Sequence, residues 1–175
     1  KSTNAFENQA RIFSACAGAA IYRKEIFDKI GAFDEEHFAY LEDLDLGYRA
    51  GIYGYKNMYQ PNAIVFHAGS AVSGSRHNAF KVNLSARNNV YLLYKNMPLL
   101  QYLINLPFLL LGFLVKWMFF VSKKLGWTYV RGTARGVKLS FSKKGRKHKV
   151  AFQAKHLKNY VWIQLQLWKN MFLRL

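Results

Sequence analysis

Phe38-Ala39-Tyr40-Leu41-Glu42-Asp43-Leu44-Asp45-Leu46-Gly47-Tyr48-Arg49 is the stretch on which the fold reading turns. Three carboxylates fall within four positions, at the start of a segment with helical spacing. Leu44 and Tyr48 share a face and Gly51 and Gly54 end the run, so a helix is predicted over 43–50. Carboxylates this close raise one another's pKa values, and the dipole at a helix N-terminus offsets part of that cost. Such a cluster suits a general base or a site facing a cation. It equally suits plain capping, with Asp43 as the cap and Asp45 as an ordinary first-turn acid.

Upstream, residues 13–22 are small and apolar, with Ala15, Cys16, Ala17, Gly18, Ala19 and Ala20 in succession. They read as a buried strand whose missing side chains let something approach the backbone. Residues 23–30 read as a short helix, with Ile26, Phe27 and Ile30 on one face and Gly31 as its stop. Residues 33–40 form a loop bearing Asp34, Glu35, Glu36 and His37. Downstream, 56–59 and 63–67 read as two strands joined across Pro61-Asn62, followed by a Gly/Ser loop over 68–75. A lone histidine such as His67 is more often structural than a ligand. Its neutral ring nitrogen can nonetheless join a carboxylate site around a divalent cation.

Charge divides the chain. All nine acidic residues lie at or before Asp45, and the first 75 residues sum to −2. From Arg76 onward there are nineteen Lys and Arg and no acid. Such a balance calls for anionic partners. Here the cations are interleaved with Phe, Leu and Trp, and no RNA-binding aromatic signature, GXXG loop or zinc spacing occurs, which argues against nucleic acid. The single cysteine, Cys16, excludes an internal disulfide and a zinc cluster, and reads as a small core residue.

The basic half is expected to be helical. Residues 80–93 form an amphipathic helix. Residues 96–115 are twenty positions without a formal charge, long enough to cross a hydrocarbon core of roughly 30 Å at 1.5 Å per residue. Gln101, Asn105 and Pro107 weaken a simple span, and Lys116 interrupts before Trp117, so a crossing helix and a hairpin lying in the interface both stay open. Lys143, Lys144, Arg146, Lys147 and Lys149 form a basic knot suited to anionic lipid. A final amphipathic helix over 152–175 carries Trp162 and Trp168, which also offer a surface for self-association. The expected divisions are 1–78, a linking helix 79–95, an apolar membrane-associated segment 96–125, a basic linker 126–151 and the helix 152–175.

Taken together, Ala17-Gly18-Ala19-Ala20-Ile21-Tyr22-Arg23, Gly31-Ala32-Phe33-Asp34-Glu35, the Glu42-Asp43 stretch, Pro61-Asn62-Ala63 and Val65-Phe66-His67 resemble, in order, the acceptor-side half of family 2 inverting glycosyltransferases. Within that family the motifs resemble those of bacterial rhamnosyltransferase-like enzymes of cell-surface polysaccharide synthesis. It covers roughly residues 10 to 95. It implies an α/β class, a partial GT-A fold with a mostly parallel sheet, followed by basic membrane-associating helices. It implies Asp43 as general base beside Glu42, with Asp34, Asp45 and Arg49 supporting the acceptor site. It further implies His67 at a Mg or Mn ion, and Ser70 and Arg76 in a loop over the donor. Implied partners are a nucleotide sugar and a saccharide or polyprenyl-linked acceptor, at the cytoplasmic face of the cell membrane. The family's nucleotide-binding half, with its Asp-x-Asp metal motif, does not precede Lys1, so the chain is expected to be part of a longer or shared enzyme. The competing expectation is a non-catalytic membrane-binding or scaffold module that keeps a remnant of that sequence.

Overall fold

A computed structural model describes residues 7–66 and 77–172. In chain order its elements are β1 (Ala10–Ile12), α1 (Lys24–Ile30), α2 (Glu42–Ile52), β2 (Asn57–Tyr59), α3 (Ala79–Asn96), α4 (Leu99–Ser122), α5 (Gly126–Phe141), α6 (Lys143–Lys147) and α7 (Leu157–Phe172). Three short 3-10 turns lie between them. The chain divides into two compact units. One draws on Lys1–Phe33, Glu42–His67 and Gln153–Leu175, the other on Asp34–Leu41 and Ala68–Phe152.

In the first unit α2 is the central element, buried from Asp45 to Ile52. Ile30, Leu46 and Ala50 form its core, with Tyr22, Ile26, Phe27, Tyr53 and Tyr55 packed around them. Gly47 has no room for a side chain, because a Cβ there would meet Ser14. α7 lies on the C-terminal end of α2. Ile163 is fully buried against Gly51, and the Asn159 amide donates to the Ile52 carbonyl at 2.8 Å, satisfying an end-of-helix acceptor. β1 and β2 pair antiparallel, with Arg11 opposite Met58.

The second unit is a helical bundle built on α3 and α5. Their backbones approach closely because α5 presents Gly132 and Gly136, four residues apart, toward α3. A Cβ at Gly132 would meet the Asn83 carbonyl and Ala86, and one at Gly136 would meet the Arg87 carbonyl and Val90. Small residues at this spacing let two helices touch through their main chains. Ser140 continues the row, buried, and its hydroxyl donates to the Gly136 carbonyl at 2.8 Å. Val82, Ala86 and Tyr129 form the core, closed by Phe113 and Phe120 of α4 and by Leu125. Burial pushes the Tyr129 phenol up to about 12.

This architecture overturns the expected GT-A α/β fold. Among the described residues the only sheet is a two-stranded antiparallel pair of three residues per strand, and most of the rest is helix. A parallel core needs long, apolar, β-branched strands buried on both faces. Residues 13–22 do not supply that. Their small side chains offer little area to bury, none of the segment is fully buried, and it holds a 3-10 turn at Ala17–Ala19. Residues 63–66 form no strand either. The stretch expected as a basic linker, 126–151, contains α5 and α6.

Candidate functional site

The acidic cluster opens α2, where Glu42, Asp43 and Asp45 occupy the first turn. Asp43 is tied down locally. Its Oδ2 accepts from the Ala17 amide at 3.3 Å, its Oδ1 from the Leu44 amide at 2.7 Å, and its carbonyl from the Ser14 hydroxyl at 2.6 Å. Glu42 Oε2 is buried without a hydrogen-bond partner. Burial, with Asp43, Cys16 and Glu42 nearby, pushes the Tyr22 phenol above its ordinary value. Asp45 is fully buried and is bound twice by Arg49, at 3.0 Å to Nε and 2.8 Å to Nη2. The same guanidinium donates to the carbonyls of Ile30, Gly31 and Ala32. Arg49 therefore closes the C-terminal end of α1, whose last carbonyls have no partner inside the helix.

Asp34 has its own set of partners. It lies in the other unit, where its carboxylate receives Lys95 Nζ at 2.7 Å, the Tyr91 hydroxyl at 2.9 Å and the Glu36 amide at 3.0 Å. The ring nitrogens of His37 and His148 stand at 4.0 and 3.9 Å. Burial alone would raise its pKa. The hydrogen bond and charge of Lys95, with the Glu36 amide and Tyr91, outweigh this and hold it at about 2. The loop that follows is bent by force. Phe38, Tyr40 and Leu41 all adopt positive φ, a conformation that costs non-glycine residues and persists only where surroundings impose it. The imposing groups are on α3. The fully buried Asn88 amide donates to the carbonyls of His37, Ala39 and Tyr40 at 2.7–2.8 Å, and Arg87 Nη2 donates to those of Glu36 and His37.

His67, Ser70 and Arg76 lie outside the described residues. Among the described residues no group of three or more His, Cys, Asp or Glu could hold a metal ion. The described part thus provides neither the sheet core nor the ligand set that a Mg- or Mn-dependent sugar transferase requires. The reading of this chain as an inverting glycosyltransferase is corrected accordingly, together with its metal-binding character.

Membrane association is supported by α4. Its 24 residues reach about 36 Å, more than a hydrocarbon core of roughly 30 Å. Leucine, phenylalanine, valine, tryptophan and methionine side chains are exposed along its length, from Leu99 and Leu100 through Leu110, Leu111 and Leu114 to Trp117, Met118 and Val121. Patches of this extent on a monomer mark a surface that something apolar covers. The buried residues of the helix are Gln101 and Asn105, the two polar residues that weakened the sequence reading. They face protein, and the Asn105 amide donates back to the Gln101 carbonyl at 2.7 Å. Polar side chains in a membrane helix are expected to turn inward in this way. Pro107 sits inside the helix without ending it.

Of the other expected lipid contacts, Lys143, Lys144, Arg146 and Lys147 form α6 and are exposed. Lys144 pairs with Glu36 at 3.3 Å. Trp162 is half-buried beneath the Arg11 guanidinium, 3.4 Å from the ring centroid, and Trp168 is likewise half-buried. Sequence reasoning missed the α5 glycine row, whose signal was the four-residue spacing of Gly132, Gly136 and Ser140.

Two curated proteins share a segment with this chain. Both are described as N-acetylglucosaminyl-diphospho-decaprenol L-rhamnosyltransferase, from Mycobacterium tuberculosis strains CDC 1551 / Oshkosh and ATCC 25618 / H37Rv. Each is 45% identical over 47 residues, 27% of this chain and 15% of the relative. The chain therefore spans a small part of the length of the relatives it matches. The relationship to bacterial family 2 rhamnosyltransferases is distant and partial. No protein-family model matches the chain, and no solved structure does.

Proposed function

We propose that this chain is a helical membrane-associating module whose acid-bearing unit is a non-catalytic remnant of glycosyltransferase-like sequence, serving as a scaffold at the bilayer. One observation carries the reading: α4 exposes apolar side chains along its length and turns Gln101 and Asn105 into the protein. Leaving such a surface in water costs roughly 25 cal/mol per Å², and lipid removes that cost without a partner protein. The cations that follow α4, Lys123 and Lys124 and then the exposed residues of α5 and α6, favour the cytoplasmic face, where Lys and Arg accumulate beside membrane helices.

Flotation tests this. The full chain, mixed with vesicles and centrifuged through a density gradient, is expected to rise with the lipid and to resist extraction by alkaline carbonate. Leu110→Lys with Leu114→Lys is expected to leave it in the soluble fraction. A wild-type chain that stays at the bottom of the gradient, folded, with every vesicle composition removes the proposal.

A further inference from the structure

α5 has a second face that its packing leaves open. Tyr129, Gly132, Gly136 and Ser140 are turned inward and buried, the two glycines against α3. Trp127, Val130, Ala134, Val137 and Phe141 recur at alternating intervals of three and four residues, which places them on one stripe of the helix. All five are exposed, Trp127 at 72% and Phe141 at 60%. Arg131, Arg135 and Lys138 run along one flank of the stripe, also exposed. Arg135 is held by a hydrogen bond to the Asn83 side chain; Arg131 and Lys138 have no acidic neighbour on their own helix.

We propose that this stripe is an in-plane lipid anchor, seated in the headgroup region of an anionic leaflet with Arg131 and Lys138 on the phosphates. The inference rests on the membrane reading of α4 and extends it to a second helix and a lipid class. Three features select lipid as the occupant. The stripe is continuous with the membrane-facing helix: α5 begins after a three-residue turn, closed by the Leu125 amide on the Phe120 carbonyl at 2.7 Å and by Phe120 stacked on Tyr129 at 5.4 Å. Trp127 stands at that junction beside Lys123 and Lys124, the composition found where helices meet headgroups. The flanking charge is of one sign, with no acid anywhere after Asp45, so a phosphate surface complements it and a second copy of the same helix repels it. The basic residues also prevent α5 from crossing the hydrocarbon core, so an in-plane seat is the one that fits both faces.

The experiment uses the full chain with Cys16, its single cysteine, changed to Ser, and one nitroxide at Val137→Cys in α5 or at Leu111→Cys in α4. Collision with oxygen and with a water-soluble nickel chelate is measured on vesicles of phosphatidylcholine alone and of equimolar phosphatidylcholine and phosphatidylglycerol. On the anionic vesicles the Val137→Cys label should be open to oxygen and shielded from nickel. Arg131→Gln with Lys138→Gln should lower partitioning onto those vesicles by about tenfold or more, with little change on phosphatidylcholine. If the Val137→Cys label stays open to nickel while the Leu111→Cys label is shielded, α5 is no anchor and α4 still is. If both stay open to nickel, the membrane reading itself fails. Dipolar broadening of the Val137→Cys label in lipid-free protein would mean that a second copy covers the stripe, which also overturns the proposal.

Discussion

Lys95 Nζ lies 2.7 Å from Asp34 Oδ2, and the two side chains are 3% and 2% exposed. Removing one partner of such a pair strands the other as a buried charge, which typically costs 3–5 kcal/mol. Asp34→Ala is therefore expected to destabilise the α3–α5 unit by about that much. Asp34→Leu with Lys95→Met should recover much of the loss, because no charge is then left unpaired. Denaturant titrations of the wild type, Asp34→Ala, Asp34→Leu, Lys95→Met and the Asp34→Leu/Lys95→Met double variant in one detergent check this. Full additivity of the two single changes would show that the pair does not act as a unit.

The same carboxylate sets a pH dependence. Its folded pKa of about 2 lies below the ordinary value of 3.8. The unfolded chain thus takes up the proton first as pH falls, and folding loses the contribution. Stability from Asp34 is fully present above about pH 4 and drains away as pH falls toward 2. Thermal melts between pH 5 and pH 2 should show a fall in Tm that is smaller in Asp34→Asn. An equal fall in both proteins would assign the acid sensitivity elsewhere.

Gly136 and Gly112 should respond oppositely to alanine. A Cβ at Gly136 would come within 2.5 Å of the Arg87 carbonyl oxygen and 2.8 Å of Val90 Cβ, whereas at Gly112 nothing lies within 4 Å. Gly136→Ala should force α3 and α5 apart at a cost of about 1–3 kcal/mol. Gly112→Ala should be neutral or stabilising by up to about 1 kcal/mol, since alanine is the better helix former. Matched unfolding curves in detergent decide the sign of each.

Arg49 joins five acceptor contacts, two on Asp45 and three on the end of α1. Arg49→Lys keeps the charge but cannot span this fork, so about 2–4 kcal/mol of destabilisation is expected. Hydrogen exchange should speed up at the amides of α1 and α2 and leave α3 and α5 protected. Uniform acceleration throughout would show that the loss is not local.

Asn88→Ala removes the amide that holds the carbonyls of His37, Ala39 and Tyr40. The positive-φ residues Phe38, Tyr40 and Leu41 then lose the contacts that impose their conformation. Limited chymotrypsin digestion should cut after Phe38 or Tyr40 in the variant before it cuts the wild type. Identical digestion patterns would mean that the loop is held by other groups.

Several elements were readable in advance because a local signal sufficed. α1, α2 and α3 start and stop within a few residues of expectation, where apolar spacing meets a glycine, a proline or an asparagine cap. α5 was read as a linker, because its buried face is mostly glycine and serine and its apolar residues at three- and four-residue spacing fall on the exposed face. The strand expected over 13–22 failed for a related reason: six small residues in a row are compatible with a buried strand only where neighbouring strands cover them. The candidate site was partly readable. The carboxylates of α2 were evident, but nine positions of sequence gave no hint that Asp34 and Asp43 fall in different units.

By itself the amino-acid order determined the charge division at Asp45, the apolar length of α4 and the approximate bounds of α1, α2 and α3. These depend on composition and on neighbours three and four positions apart. Tertiary structure alone decided that Asp34 pairs with Lys95, that Gln101 and Asn105 turn inward, and that Gly132 and Gly136 bring two backbones together. Each of those facts requires groups distant in sequence to share one buried space. Desolvation makes an unpaired polar group too costly to leave there, and close packing makes an extra methyl too large to admit.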